Sequence, residues 1–425
     1  MQEEFLHFIW KFQYFDKHNL TTTSGESINI ISPGIQNHDS GPDFSLSKIK
    51  IGKIDWHGYT EIHINSSDWD KHRHQHDKAY DKTILHVIWQ DDKEVLRNDG
   101  SLMPTLELKN RVNLDLIHNY KKLLHNADAI PCATYLSSVN RLTKYAMMDF
   151  VVMKRLEEKA SFLLQLVNEN ITWEAATYRL LAKNFGFKVN AEIFLALAKS
   201  IPQKLIYKHA DDLLQIEALL FGQAGFLEEK NGDAYFLKLK KEYNFLAHKY
   251  GIANQRLAKH QWKFSRLRPG NFPTIRIAQF SFLCYSFKNL FSTFKAVHSY
   301  SDFSKKLKVQ QSEYWQAHYS FGKRSKTKIA GLGKSSIDNI LINTVIPLKV
   351  AYGIAKDAQV SIDNAVGLLE NLPAENNRIT RLWKESGLAI KNAYDSQSLI
   401  ELYNNFCARR NCLSCKIGVD IVKKT

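Results

Sequence analysis

Cysteine is scarce in this chain, five in 425 residues. The odd number, in a sequence without a secretion signal, argues against a disulfide framework and for thiols that stay reduced or hold a metal. The start, MQEEFLHFIWKFQYFD, lacks the basic opening, the continuous apolar run and the small-residue cleavage site of a secreted precursor. No window reads as the ~20 apolar residues of a membrane span, so no membrane partner is expected. Low-complexity tracts and fixed-period repeats are also missing, which excludes a solenoid. Acidic charge is in short supply: 58 Lys and Arg face 43 Asp and Glu, a net charge of +15. The excess is spread over short clusters, such as Lys238, Lys240 and Lys241, or Lys323, Arg324, Lys326 and Lys328. That distribution suits a broad footprint for a polyanion, DNA or RNA, in the cytoplasm. The oligomeric state is not legible.

What is present begins with an ordinary globular composition, 44% hydrophobic and 24% charged, long enough for two or three domains. Phe5, Ile9 and Phe12 lie on one helical face behind the acids Glu3 and Glu4, which predicts an amphipathic helix. From Ser27 to about Leu108 the pattern changes to short β runs: SINII, DFSLSKIKI, WHGYTEIHI, TILHVIW and LMPTLEL. Gly52-Lys53 is a hairpin turn, so a mainly antiparallel meander is expected. Beyond about Asn110 the spacing turns helical, with glycines at 186, 225 and 251 at helix ends. The expected class is α+β: a helix-plus-meander domain over residues 1–112, then a mainly helical domain over 113–425. LRPGNFPTIR is a candidate division within the latter, near 262–276.

In GPDFSLSKIKIGKIDWHGYTEIHI, Asp43 follows a Gly-Pro turn and opens one strand, while Glu61 and His63 share a face of the next. Two carboxylates brought together by the hairpin suit Mg²⁺ or Mn²⁺, and a third group there can orient or deprotonate a water. The following segment, SSDWDKHRHQHDKAYDKTILHVIW, concentrates His72, His74, His76, Asp77 and His86. On a helix, His72, His76 and Tyr80 would line one face over the acids with Asp77 beside them. A metal set drawn from Glu61, His63, His76 and Asp77 is the alternative, with Zn²⁺, Mn²⁺ or Fe²⁺. His72 and His74 read individually as surface residues.

Pro42-Asp43 and Glu61-Ile62-His63, after an N-terminal helix, resemble the PD-(D/E)XK nuclease superfamily, with His63 where a lysine is usual. The resemblance covers roughly the first 110 residues and implies a restriction-endonuclease-like core that hydrolyses phosphodiester bonds with Mg²⁺ or Mn²⁺. It assigns catalytic roles to Asp43, Glu61 and His63, with an acid from the first helix, Glu4 rather than Glu3. EEFLHFIWKF, GPDF, EIH, HQHDKAYD, IEALLFGQAGFL, RPGNFPTIR and CLSCKIG together resemble a bacterial family of unknown function over essentially the whole length, which implies no activity.

The ending FCARRNCLSCKIG places Cys407, Cys412 and Cys415 in C-x4-C-x2-C spacing, with Cys132 as the candidate fourth ligand and Cys284 as a core residue. Zn²⁺ or an iron–sulfur cluster fits such a set; one early and three late cysteines resemble the iron–sulfur staple of helicase-associated nucleases. Arg266, Arg268 and Arg276, around a rigid turn, and Lys334, after Gly331 and Gly333, are the candidate nucleic-acid contacts. Three functions remain open: a metal-dependent nuclease, a noncatalytic nucleic-acid-binding protein with a structural cysteine site, or a metallohydrolase acting on a small molecule through the histidines.

Overall fold

The computed structural model describes residues 2–37 and 39–424. The chain divides into two compact units, Met1–Met147 with Tyr403–Thr425, and Met148–Leu402. The first unit therefore runs past the expected limit near 112 and takes back the C-terminal segment. Its later part is the helix α3 (Leu114–His125), against which the C-terminal helix Lys416–Lys423 packs. Arg410 donates to the carbonyls of Asn126 and Asp128 at 2.7 and 2.9 Å, holding the returning chain in place. A tie between residues so distant in sequence leaves no local signal.

Unit one is α+β. Helix α1 (Glu3–Phe12) starts with two acids at its positive end and stops at Gln13, whose φ of 56° is left-handed. Phe5, Leu6, Ile9 and Trp10 are fully buried, each contributing roughly 1.5–3 kcal/mol. Glu3 and His7, four apart, stay on the opposite side.

Strands β1 (Ile28–Ser32), β3 (Phe44–Ile51), β4 (Ile54–Asn65), β5 (Thr83–Gln90) and β6 (Thr105–Glu107) lie in that order, and the short β2 (Ile35–Gln36) pairs with β3. The β3–β4 hairpin turns at Gly52, φ 58°, as the sequence suggests. The sheet is mixed rather than mainly antiparallel, because β4–β5 and β5–β6 are parallel. The segment from Ser66 to Lys82 is thus a crossover.

Unit two is helical apart from a small hairpin, His318–Ser320 with Lys323–Arg324. LRPGNFPTIR lies inside it and does not divide it. One run, Lys334–Ala355, is, contrary to the expectation from sequence, long and apolar enough to cross a membrane by length and composition. Some 72% of its window is buried within the chain, as in a core helix.

Glu217, 1% exposed, accepts hydrogen bonds from Ser312 and Tyr235. Burial, opposed by those bonds, lifts its carboxyl from 4.5 to about 7. A raised folded-state value adds stability that is complete below 4.5 and lost as pH rises through about 7. At ~1.36 kcal/mol per pH unit that amounts to about 3 kcal/mol. Denaturant titration of wild type and Glu217→Gln at about pH 4.5 and pH 8 should show the wild type losing that much relative to the variant. Parallel responses to pH would contradict the assignment.

Candidate metal centre

Strand register puts the two acids of the hairpin together. Ser47 pairs with Gly58 but Phe44 with Thr60, so three steps along β3 match two along β4. The extra residue is a bulge, with Leu46 at φ 58°. Continued by one pair, the shifted register sets Asp43 against Glu61; without the bulge Asp43 would meet Ile62. The two residues hold each other: Asp43 N–H donates to Glu61 Oε2 at 3.0 Å, and Ile62 N–H donates to Asp43 Oδ2 at 2.9 Å.

Helix α1 faces this pair. His7 Nε2 lies 3.3 Å from Asp43 Oδ2 and 3.8 Å from Glu3 Oε1. One ligand atom from each of Glu3, His7 and Asp43 falls within 4.8 Å of the others. Burial pushes His7 down, but the Asp43 carboxylate beside it, then the charges of Glu3 and Glu4, outweigh it and hold the imidazole above its ordinary value.

A second group comes from β4 and the crossover. Helix α2 (Asp68–Lys71) ends early because Arg73 adopts a left-handed φ of 61°, and only isolated 3₁₀ turns follow. The helix expected to align His72, His76 and Tyr80 therefore does not form. The turn instead brings His72 and His74 to His63, with ligand nitrogens of all three inside 4.8 Å. His63, 1% exposed, meets His72 through Nε2 at 3.1 Å and His86 of β5 through Nδ1 at 2.8 Å. Tyr80 stacks on His74, ring centroids 3.8 Å apart. Burial first, then the neighbouring imidazoles, drive His63 down to about 2; burial and His72 take His74 to about 4. Both rings are neutral donors at pH 7.

Glu61 joins the groups. It is 5% exposed; its Oε2 serves Asp43, and its Oε1 lies 3.4 Å from His74 Nε2 and 3.6 Å from His63 Nε2. Burial, then the charges of Asp43 and Glu3, lift its carboxyl to about 9, against a backbone hydrogen bond that lowers it. His7 Nε2 and His74 Nε2 are buried without hydrogen-bond partners, although each is within 3.4 Å of a carboxylate oxygen. Two buried imidazole nitrogens left beside carboxylate oxygens are the donor types that transition-metal sites use.

The sequence candidates divide accordingly. Asp43, Glu61 and His63 come together. Glu3, not Glu4, belongs with them: a Glu3 oxygen falls within the His7 and Asp43 group, whereas Glu4 is in neither group and reaches His7 and Cys412 only through its charge. His76 and Asp77 are exposed and outside both groups; the Asp77 carboxylate caps the turn at Ala79. His7 was missed, although its i+4 spacing from Glu3 was available as a signal. His72 and His74, which read individually as surface residues, are the ones that join His63.

Cys132, Cys407, Cys412 and Cys415 are buried and free of disulfides; Cys407 feels the charge of the other three, Cys132 that of Cys415 and Cys412, and Cys412 that of Cys415. Burial, with those neighbours, pushes Cys132 up to about 12 and Cys412 to about 11. Cys415 is also raised by burial, although the backbone N–H groups of Gly418 and Ile417 point at its sulfur. A Cβ on Gly418 would sit 2.2 Å from the Cys412 carbonyl oxygen, so this turn requires glycine. Cys284 is fully buried in the core of unit two. Among the described residues no three of the sulfurs lie within 4.8 Å of one another.

Arg266, Arg268 and Lys334 are exposed, whereas Arg276 is buried and engaged by Asn271, Gln279 and Ser336. A different basic surface adjoins the acids in unit one. A groove of about 830 Å³ is lined by Glu4, His7, Lys11, Phe12, Lys416 and Lys423 among others. Lys423 lies over the rings of Phe12 and Tyr14 at 5.9 and 4.6 Å.

No curated protein and no solved structure matches the chain. A family profile matches residues 3–378, which include both ligand groups and Cys132 but end before the C-terminal cysteines. The chain belongs to that family, described as "Protein of unknown function (DUF2851)".

Proposed function

We propose that the chain is a metal-dependent phosphodiesterase acting on DNA or RNA in the cytoplasm, with two divalent ions held side by side and Glu61 between them. The observation that carries this is the position of Glu61, which touches the Asp43 group through one oxygen and the histidine group through the other. The first site offers Glu3, His7 and Asp43; the second offers His63, His72 and His74. Imidazole in both sets favours Mn²⁺, Fe²⁺ or Zn²⁺ over Mg²⁺. Bound there, paired ions supply a polarised phosphoryl oxygen and a readily deprotonated water. His86 fixes the orientation of His63 through its Nδ1 edge. His63, neutral and enclosed, does not replace the lysine cation of the resembling nucleases. Lys11, continuing the Glu3–His7 stripe of α1 into the groove, supplies positive charge near the acids. Lys11, Lys416 and Lys423 with Phe12 suit a strand's phosphates and bases.

Zn²⁺ or an iron–sulfur cluster is the proposed occupant of the cysteine set, and the sulfur spacing favours the cluster. Tetrahedral zinc with Zn–S of about 2.3 Å places its sulfurs about 3.8 Å apart, closer than the 4.8 Å within which no three of these sulfurs fall.

The convergence of three histidines also favours a small-molecule metallohydrolase, and one assay separates the two. The full chain is incubated with plasmid, single-stranded DNA and RNA in Mn²⁺ or Mg²⁺, beside Asp43→Asn. Cleavage in Mn²⁺ that the variant loses is expected. No cleavage by either protein, or equal cleavage by both, would overturn the nuclease assignment and leave binding without catalysis, or a small substrate, in its place.

A further inference from the structure

We propose that unit two holds a phosphate-recognition pocket of its own, built on Arg276 and sized for a mononucleotide or a phosphorylated strand end. A cavity of about 380 Å³ there is lined by Phe185, Phe187, Asn271, Arg276, Ser335 and Ser336, among others, a volume in the range of small-ligand sites. Arg276 is 7% exposed. Its guanidinium donates to Gln279 Oε1 at 2.8 Å, Asn271 Oδ1 at 2.6 Å and Ser336 Oγ at 3.2 Å. All three are neutral oxygens, and its Nε is buried with no acceptor. Among the described residues no carboxylate pairs with it, and burial alone accounts for its lowered pKa, about 10. A buried cation without a counter-charge is costly.

The helix terminus adds to that cost, while an aromatic face offsets part of it. Arg276 sits in the first turn of the helix Pro273–Ser286, whose N-terminus is itself positive and favours an anion. The ring of Phe187 lies 4.4 Å from the guanidinium, held by a backbone with φ of 48°, a left-handed conformation unfavourable for a bulky residue. Strain, an unneutralised cation and an orphaned donor converge on one cavity, and an oxyanion there answers the last two together. Serine hydroxyls beside an arginine suit phosphate oxygens. The phenylalanine rings on the same wall suit a base or another flat body. The pocket shares no residue with either candidate metal group.

The test measures binding to the full chain by calorimetry, in EDTA and without added divalent ions, so that neither hydrolysis nor the metal centre contributes. The probes are deoxythymidine monophosphate, its nucleoside, and a dinucleotide with and without a 5′-phosphate. The expected result is binding of the monophosphate at least tenfold tighter than the nucleoside, weakened at least tenfold in Arg276→Gln. Because a buried arginine can matter for folding, Ser335→Trp provides a second variant: it fills the cavity from an exposed position and should weaken binding as much. Equal affinity for the phosphorylated dinucleotide identifies a strand end, and preference for the monophosphate identifies a free nucleotide; either supports the pocket. No binding, equal binding of the nucleoside, or unchanged affinity in Ser335→Trp would overturn it.

Discussion

Replacing Glu61 by glutamine should lower metal-dependent cleavage at least about 100-fold while leaving the metal-free fold intact. The size follows from position: loss of a residue that only orients a ligand already costs 10–100-fold, and Glu61 reaches both groups of candidate ligands. The fold survives because the amide oxygen still accepts from Asp43 N–H. The metal-free variant also no longer encloses a carboxyl that burial drives to about 9, so its thermal midpoint at pH 8 should equal or exceed that of the wild type. Loss of cleavage together with the fold would show only a structural role. Retained cleavage by a folded variant would remove Glu61 from the chemistry.

Cys412→Ser or Cys415→Ser should cost the first unit much of its stability. Metal-binding free energy at a structural site is folding free energy, on the order of 10 kcal/mol for zinc, and Cys132 with the C-terminal cysteines ties remote segments together. Protein purified without oxygen should be brown, with iron and sulfide, and the serine variants colourless and more readily cleaved by protease between residues 126 and 140. Colourless wild type carrying one zinc per chain would replace the cluster by Zn²⁺. A metal-free wild type as stable as its variants would leave only free thiols.

Much of the centre was legible because period-two alternation and a glycine turn are local signals. They put Asp43, Glu61 and His63 on one hairpin, and the tight spacing of Cys412 and Cys415 needed no fold at all. What was not legible depended on contacts between distant segments or on single backbone angles. The bulge at Leu46 gives the final register of Asp43, yet a leucine at φ 58° leaves no mark in the composition. The left-handed Arg73 ends a helix that the spacing of His72, His76 and Tyr80 suggested, and so exchanges His76 and Asp77 for His72 and His74. Parallel pairing of β5 could not be told from another hairpin, since a buried strand such as TILHVIW reads alike in both. The spacing of Glu3 and His7 was readable, but what it meant depended on α1 packing on the sheet, which sets His7 beside Asp43.

The central claim is that two ions share Glu61. Electron paramagnetic resonance of the full chain loaded with Mn²⁺ tests it most directly, since Mn²⁺ suits the imidazole and carboxylate sites and not the thiols. Two bound ions per chain with the spectrum of a spin-coupled pair are predicted, reverting to isolated ions in Glu61→Gln. A wild-type spectrum of isolated Mn²⁺, or no tightly bound Mn²⁺, would contradict it.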